Sequence, residues 1–177
     1  MAILHSIALH AVLSFSPQSR QKGRTSPPLI WDLRLPPSTA RAASHTHHIV
    51  PPYYLSQPAT SPPTPYIRIV SGVFPFDWRI DVQNPYGVTV GDVLDGISRG
   101  LRRGVTQREW AQTSRTQKAR VADAFYARTL QSADPRREHS QGVRRVDWLL
   151  KHTTFVGLTP SPEMPYTWTL TTKRADR

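Results

Sequence analysis

Helical periodicity in this chain is confined to its middle, residues 89–130, while residues that alternate apolar and polar occur on both sides of it. A chain that alternates strand and helix builds a parallel sheet with crossover helices. One that bunches its helices between two sets of strands folds as α+β with a mainly antiparallel sheet. The expectation is therefore a single domain over 1–177. It would hold a sheet of about five to six strands and two or three central helices packed on one face.

The helical block is defined by spacing. Val90, Val93, Leu94, Ile97 and Leu101 recur at the intervals of one helix face. Thr89 is placed to cap the first turn, with Asp92 three residues on. Gly91, Gly96 and Gly100 each weaken a helix by up to ~1 kcal/mol relative to alanine, so their presence suits a close approach by a neighbour. Gly104 would end this helix. A second capping pattern, Thr106-Gln-Arg-Glu109, opens a further helical stretch to about Leu130, carrying Trp110, Val121 and Phe125. Whether it is one helix or two is left open by its polar middle.

On either side, alternation marks the strands. Trp31, Leu33 and Leu35 lie opposite Asp32 and Arg34, and Trp78, Ile80 and Val82 lie opposite Arg79 and Asp81. Tyr66–Val70, Thr154–Leu158 and Tyr166–Leu170 have strand character, and Val143–Leu150 alternates in the same way. Residues 17–28 are a polar connector, and 131–141 a charged loop. Residues 36–65 hold 8 of the 17 prolines and are expected to form a loop or arm. Residues 173–177 are expected to be a disordered tail. Met1–Ser16 is mostly apolar, but no basic residue precedes the run, and His5 and His10 interrupt it. It is expected to pack on the domain rather than direct export, which implies an intracellular setting, cytoplasmic or nuclear. No stretch approaches the ~20 apolar residues of a membrane span.

Charge narrows the partners. With 23 Lys and Arg against 12 Asp and Glu, the formal net charge is +11, and between Arg99 and Arg145 there are 12 basic and 4 acidic residues. An excess of this kind suits a polyanion. Three doublets, Arg102-Arg103, Arg136-Arg137 and Arg144-Arg145, would make a phosphate-binding surface if the fold brought them together. Aromatic residues, which a single-strand binder stacks against bases, are sparse among them. The absence of cysteine excludes disulfides, a thiol nucleophile and Cys-ligated metal centres.

His45, His47 and His48 are the metal candidates. Zinc needs three or four ligands converging at ~2.0–2.3 Å, and a Pro-rich loop offers no rigid element to hold them. No metal and no cofactor is expected. Asp32, Asp77, Asp81, Asp92 and Asp147 are the carboxylates from which an acid–base site could be assembled. The simpler role for Asp32, Asp81 and Asp147 is pairing with nearby arginines on polar strand faces, and for Asp92 the first turn of a helix. No nucleophile elbow, zinc-protease helix, P-loop or dinucleotide fingerprint is present.

Several stretches are similar to one family. They are ALHAVLSF (8–15), IWDLRLPPSTA (30–40), LSQPATSPPTPYIRIVSG (55–72), WRIDVQNPYGVTVGDVLDGISRGLRR (78–103), VADAFYAR (121–128), GVRRVDWLLKHTTFVGLTP (142–160) and TWTLTT (167–172). Together they resemble the domain of unknown function 6699, a family of fungi, chiefly mushroom-forming ones. The chain departs from the family at Ala11, where proline commonly follows the histidine. The resemblance implies a fold unit that includes the N-terminal apolar run. It carries no mechanism and no catalytic residues.

The residues point to a non-enzymatic binding or protein-interaction module, with a protein as its partner. The alternative is a nucleic-acid-binding protein using the Arg-rich face around 99–145. A third reading is an enzyme with a carboxylate site that no motif reveals.

Overall fold

The computed structural model describes residues 7–15, 29–43 and 49–175. Early in the chain come β1 (Ala8–Leu9), β2 (Leu29–Ile30), β3 (Arg41–Ala42), α1 (Pro52–Leu55) and β4 (Thr60–Ser61). Then follow β5 (Tyr66–Val70), β6 (Ile80–Gln83), α2 (Val90–Arg102), α3 (Gln107–Gln112), α4 (Arg115–Leu130) and α5 (Pro135–Ser140). The chain closes with β7 (Thr154–Pro160) and β8 (Thr167–Lys173). Short 3-10 helices cover Pro37–Thr39 and Arg145–Leu149. The architecture is α+β.

The main sheet has four strands in the order β6-β5-β8-β7, antiparallel except where β5 runs parallel to β8. Two further pairs, β1 with β4 and β2 with β3, make small sheets of their own. The outer edge of β7 is covered by earlier chain. Leu33 N donates to Thr153 O and Phe155 N to Trp31 O, while at the other end Phe15 N donates to Leu158 O and Leu158 N to Leu13 O. Unpaired edge groups invite association, and this cover removes them.

Pleat alternation sorts the two faces. Ile67, Ile69, Ile80, Val82, Trp168 and Leu170 share one core with Val90, Val93, Leu94, Ile97 and Leu101 of α2. Asp81, Gln83, Arg68, Thr169 and Thr171 are left half-buried or exposed, so the opposite face is polar. Helix α2 reaches the sheet through its glycines. A methyl on Gly96 would come within 2.5 Å of Val82 Cγ2, and one on Gly100 within 2.6 Å of Ile80 Cγ1. A second, smaller core is aromatic: Trp78, Val121 and Trp148, with Phe74, Phe76 and Trp110 packed against it.

Several expectations change. The residues of 36–65 that are described form short elements folded onto the core, with Ala40, Val50 and Ala59 buried. A Pro-rich stretch need not be an arm when its small apolar residues can be buried. The stretch 106–130 is two helices, because Thr113 and Ser114 are extended and Ser114 Oγ caps α4 by accepting from Gln117 N. Among the described residues the centre therefore holds four α-helices rather than two or three, since Asp134 caps α5 within the expected charged loop. Helix α2 does end just before Gly104, which forms a bridge with Arg144 instead of taking a left-handed cap conformation. Residue 173 belongs to β8, and Ala175 N donates to Lys151 O.

The strand expected at 143–150 is a 3-10 helix. Strand alternation would have turned Asp147 away from Val146 and Trp148. Instead Val146, Asp147, Trp148 and Leu149 are all buried, and Asp147 Oδ2 accepts from Arg144 N at 2.8 Å. The carboxylate works as an internal cap, and a tight helical turn is what places it there. Trp78 likewise leaves the face of Ile80 and Val82. It packs edge-on against Trp148 at 5.2 Å between ring centroids.

Both expected capping boxes form. Asp92 N donates to Thr89 Oγ1 and Thr89 N to Asp92 Oδ2; Glu109 N donates to Thr106 Oγ1 and Thr106 N to Glu109 Oε2. Burial alone would raise these two carboxyls. Hydrogen bonds from Asn84 and Thr89 to Asp92, and from Trp78 and Thr106 to Glu109, outweigh it and hold both below their ordinary values. A depressed folded-state pKa contributes stability that is present above the unfolded value, 3.8 for Asp92 and 4.5 for Glu109, and lost as pH falls through the folded value. Urea midpoints should hold steady from neutral pH down to the range of 4.5 and then fall. Glu109→Gln should be less stable at neutral pH and show a shallower acid decline; an unchanged acid slope would contradict this.

Candidate functional site

The fold brings two of the three arginine doublets together. Arg145 N donates to Arg103 O and Val105 N to Val143 O, so Arg102-Arg103 and Arg144-Arg145 lie on adjacent, antiparallel stretches. Arg136 and Arg137 stand exposed on α5. The gathered cations are not all free, however. Arg144 is 3.1 Å from Glu138 and also bonds Gln141. The Arg145 guanidinium lies 5.0 Å from the centroid of the Trp78 ring, with its buried Nε unpartnered among the described residues. Burial lowers the pKa of both, reinforced by Arg128 and Arg102 beside Arg144 and by Arg103 beside Arg145. Half of that cluster is therefore committed to the fold, and Arg102 and Arg103 remain exposed.

Behind Arg144 lies a buried ionic hub. Arg128, 6% exposed, donates from Nε to Asp147 Oδ1 at 2.8 Å and from Nη2 to Asp147 Oδ2 at 3.0 Å. Its Nη1 reaches Glu138 Oε2 at 2.5 Å. Burial opposes the charge on Arg128, but the hydrogen bonds to Asp147 and the field of both carboxylates outweigh it, and its pKa is raised. The hub ties α4, α5 and the second 3-10 helix into one wall.

That wall borders a cleft of about 760 Å3. Ala124, Ala127, Val146 and Leu150 supply apolar lining, and Arg120, Lys151, His152 and Arg174 supply basic groups from three separate parts of the chain. Arg120, Lys151, His152 and Arg174 are exposed. Arg34 also lines it, but its guanidinium is bonded to Asp32 through Nε and Nη2 and to Gln131 Oε1 through Nη1. Asp123 is the acidic counterweight, since Asp147 is already paired with Arg128.

Two features mark the cleft wall beside the aromatic core, against which Leu150 packs. Leu150 has φ 53° and ψ −110°, a conformation that costs a non-glycine residue ~1–3 kcal/mol. It is held by Leu150 N to Asp147 O at 3.2 Å and His152 N to Leu149 O at 2.8 Å, and it turns the chain so that Leu150, Lys151, His152 and Thr153 all line the cleft. Thr153 is 2% exposed, and its Oγ1 has no hydrogen-bond partner among the described residues. A buried hydroxyl left unpaired costs ~1–3 kcal/mol.

The carboxylates are each committed elsewhere. Asp32 pairs with Arg34 at 2.6 Å and Asp77 with Arg79. Asp81 accepts from Arg68 across the strands at 2.8 Å and from Tyr66 Oη at 2.6 Å, Asp92 caps α2, and Asp147 is buried in the hub. The arginine that pairs with Asp81 on the polar strand face is Arg68, directly opposite in register. Asp147, expected beside Arg145, faces Arg128 instead. Among the described residues no group of three His, Asp or Glu could hold a metal, and His45, His47 and His48 lie outside the described residues. No described helix is long and apolar enough to cross a membrane.

Sequence reasoning passed over Arg120, Lys151, His152 and Arg174. A search for adjacent arginines cannot find single cations that meet only in three dimensions. The one available signal was Lys151-His152 inside the stretch GVRRVDWLLKHTTFVGLTP.

A family described as being of unknown function, DUF6699, matches residues 29–165 of this chain. The chain belongs to the DUF6699 family. The match spans the hub, the aromatic core and most of the cleft wall of this DUF6699 domain, with Arg174 and Ala175 beyond it. No curated protein and no solved structure matches the chain.

Proposed function

We propose that this domain is a non-catalytic protein-interaction module that takes an acidic, partly apolar segment of a partner protein into the cleft beside α4. One observation carries the reading: cations from α4, from the loop after the second 3-10 helix and from the end of β8 meet around an apolar lining. Mixed lining of this kind fits a ligand with an anionic group on an apolar body. The commitment of every candidate carboxylate to an arginine or a cap counts against acid–base chemistry. An intracellular setting, cytoplasmic or nuclear, goes with this reading.

The second reading is nucleic-acid binding through Arg102 and Arg103, favoured by their placement beside Arg144 and Arg145. One experiment separates the two. Fluorescence anisotropy would follow a labelled peptide of glutamate and leucine, a single-stranded RNA and a DNA duplex across a salt series. The cleft reading expects peptide binding that weakens with salt and disappears in Arg120→Glu/Lys151→Glu, but survives in Arg102→Glu/Arg103→Glu. RNA or DNA binding with the opposite mutational pattern would replace it with the nucleic-acid reading.

A further inference from the structure

Resting on that cleft reading, we infer that its anionic group is a phosphate monoester on the partner segment, a phosphorylated side chain rather than an acidic one. Charge is the first argument. Arg120, Lys151 and Arg174 surround the cleft, Arg34 is neutralised by Asp32, and Asp123 is the single carboxylate there without a cation already bonded to it. A carboxylate would leave part of this charge unanswered, whereas a phosphate monoester carries about −1.5 to −2 at neutral pH.

Donor chemistry is the second argument. A phosphoryl group offers three acceptor oxygens, against two for a carboxylate. The cleft holds two guanidiniums suited to bidentate bonding, those of Arg120 and Arg174, and the ammonium of Lys151. The Leu150 turn brings Lys151 and His152 to this one wall.

The apolar stretch formed by Ala124, Ala127, Val146 and Leu150 has no use for inorganic phosphate but can hold a neighbouring apolar side chain of a peptide. There is no glycine-rich loop in the lining, so backbone cradling of a nucleotide's phosphates is not the design.

The test is a titration of 15N-labelled full-length protein with three degenerate peptide libraries that share leucine-rich flanks and differ at one central residue: phosphoserine, glutamate or serine. Inorganic phosphate is a fourth arm. The phosphoserine library should move the resonances of Lys151, His152 and Thr153 and the Arg120 and Arg174 side chains, binding about tenfold tighter than the glutamate library. Arg120→Glu/Lys151→Glu should abolish the effect, and Arg136→Glu should leave it unchanged.

Equal affinity for glutamate and phosphoserine would overturn the phosphate inference and leave the acidic-segment reading standing. Equal affinity for phosphate alone and for the phosphoserine library would overturn it too, since the peptide would contribute nothing. No shift with any library would overturn both.

Discussion

Asp147→Ala is expected to destabilise the domain by about 3–5 kcal/mol, the loss seen when one partner of a buried ion pair is removed. The carboxylate is 3% exposed and accepts three hydrogen bonds, two from Arg128 and one from Arg144 N. Its removal leaves a guanidinium that is itself buried and retains Glu138 as its only carboxylate partner among the described residues. The backbone N–H of Arg144 also loses its acceptor, which loosens the turn that positions Leu150 and Lys151. Arg128→Met combined with Asp147→Leu should be considerably more stable than Asp147→Ala alone, because no orphaned charge remains. Urea denaturation monitored by tryptophan fluorescence suits the measurement, since Trp148 adjoins the hub in sequence and sits in the aromatic core. A loss below ~1 kcal/mol would mean that the pair behaves as a solvated surface bridge.

The second large effect concerns the face of α2. Alanine in place of glycine normally stabilises a helix by ~1 kcal/mol. Gly96→Ala and Gly100→Ala should do the opposite. The new methyl would lie 2.5 Å from Val82 Cγ2 or 2.6 Å from Ile80 Cγ1. Both neighbours are β-branched and stiff, and both belong to a packed sheet, so neither can swing aside. Overpacking of this kind costs ~1–3 kcal/mol, which exceeds the helix gain at its upper end and cancels it at its lower. The net expectation is a loss of about 0–2 kcal/mol for each. Val82→Ala should offset the cost of Gly96→Ala in a double-mutant cycle, giving a favourable coupling energy. A stabilised Gly96→Ala would show that helix and sheet are not in contact there.

What could be read from sequence was local. The helical spacing of Val90 to Leu101, the two capping patterns and the alternation of β5 and β8 are imposed by the chain on itself, and all appear in the structure. The strand expected at 143–150 failed because its alternation of apolar and charged residues is equally compatible with a turn whose aspartate points inward. That choice was made by Arg128, 19 residues away and contributed by α4. The same limit hid the cleft. Arg120, Lys151 and Arg174 are unremarkable singly, and only the packing of α4 against the second 3-10 helix and the end of β8 gathers them. The arginine doublets, conspicuous in sequence, lost half of one such cluster to the fold when Arg144 joined Glu138 and Arg145 stacked on Trp78.

Locating a bound ligand decides whether the cleft is the binding site. Amide and arginine side-chain shifts would be recorded as the labelled glutamate–leucine peptide is added to the full-length protein. The largest changes should map to Arg120, Ala124, Leu150, Lys151, His152, Thr153 and Arg174 and saturate together. Changes confined to Arg102, Arg103 and the α5 arginines, with the cleft residues unmoved, would contradict the cleft reading.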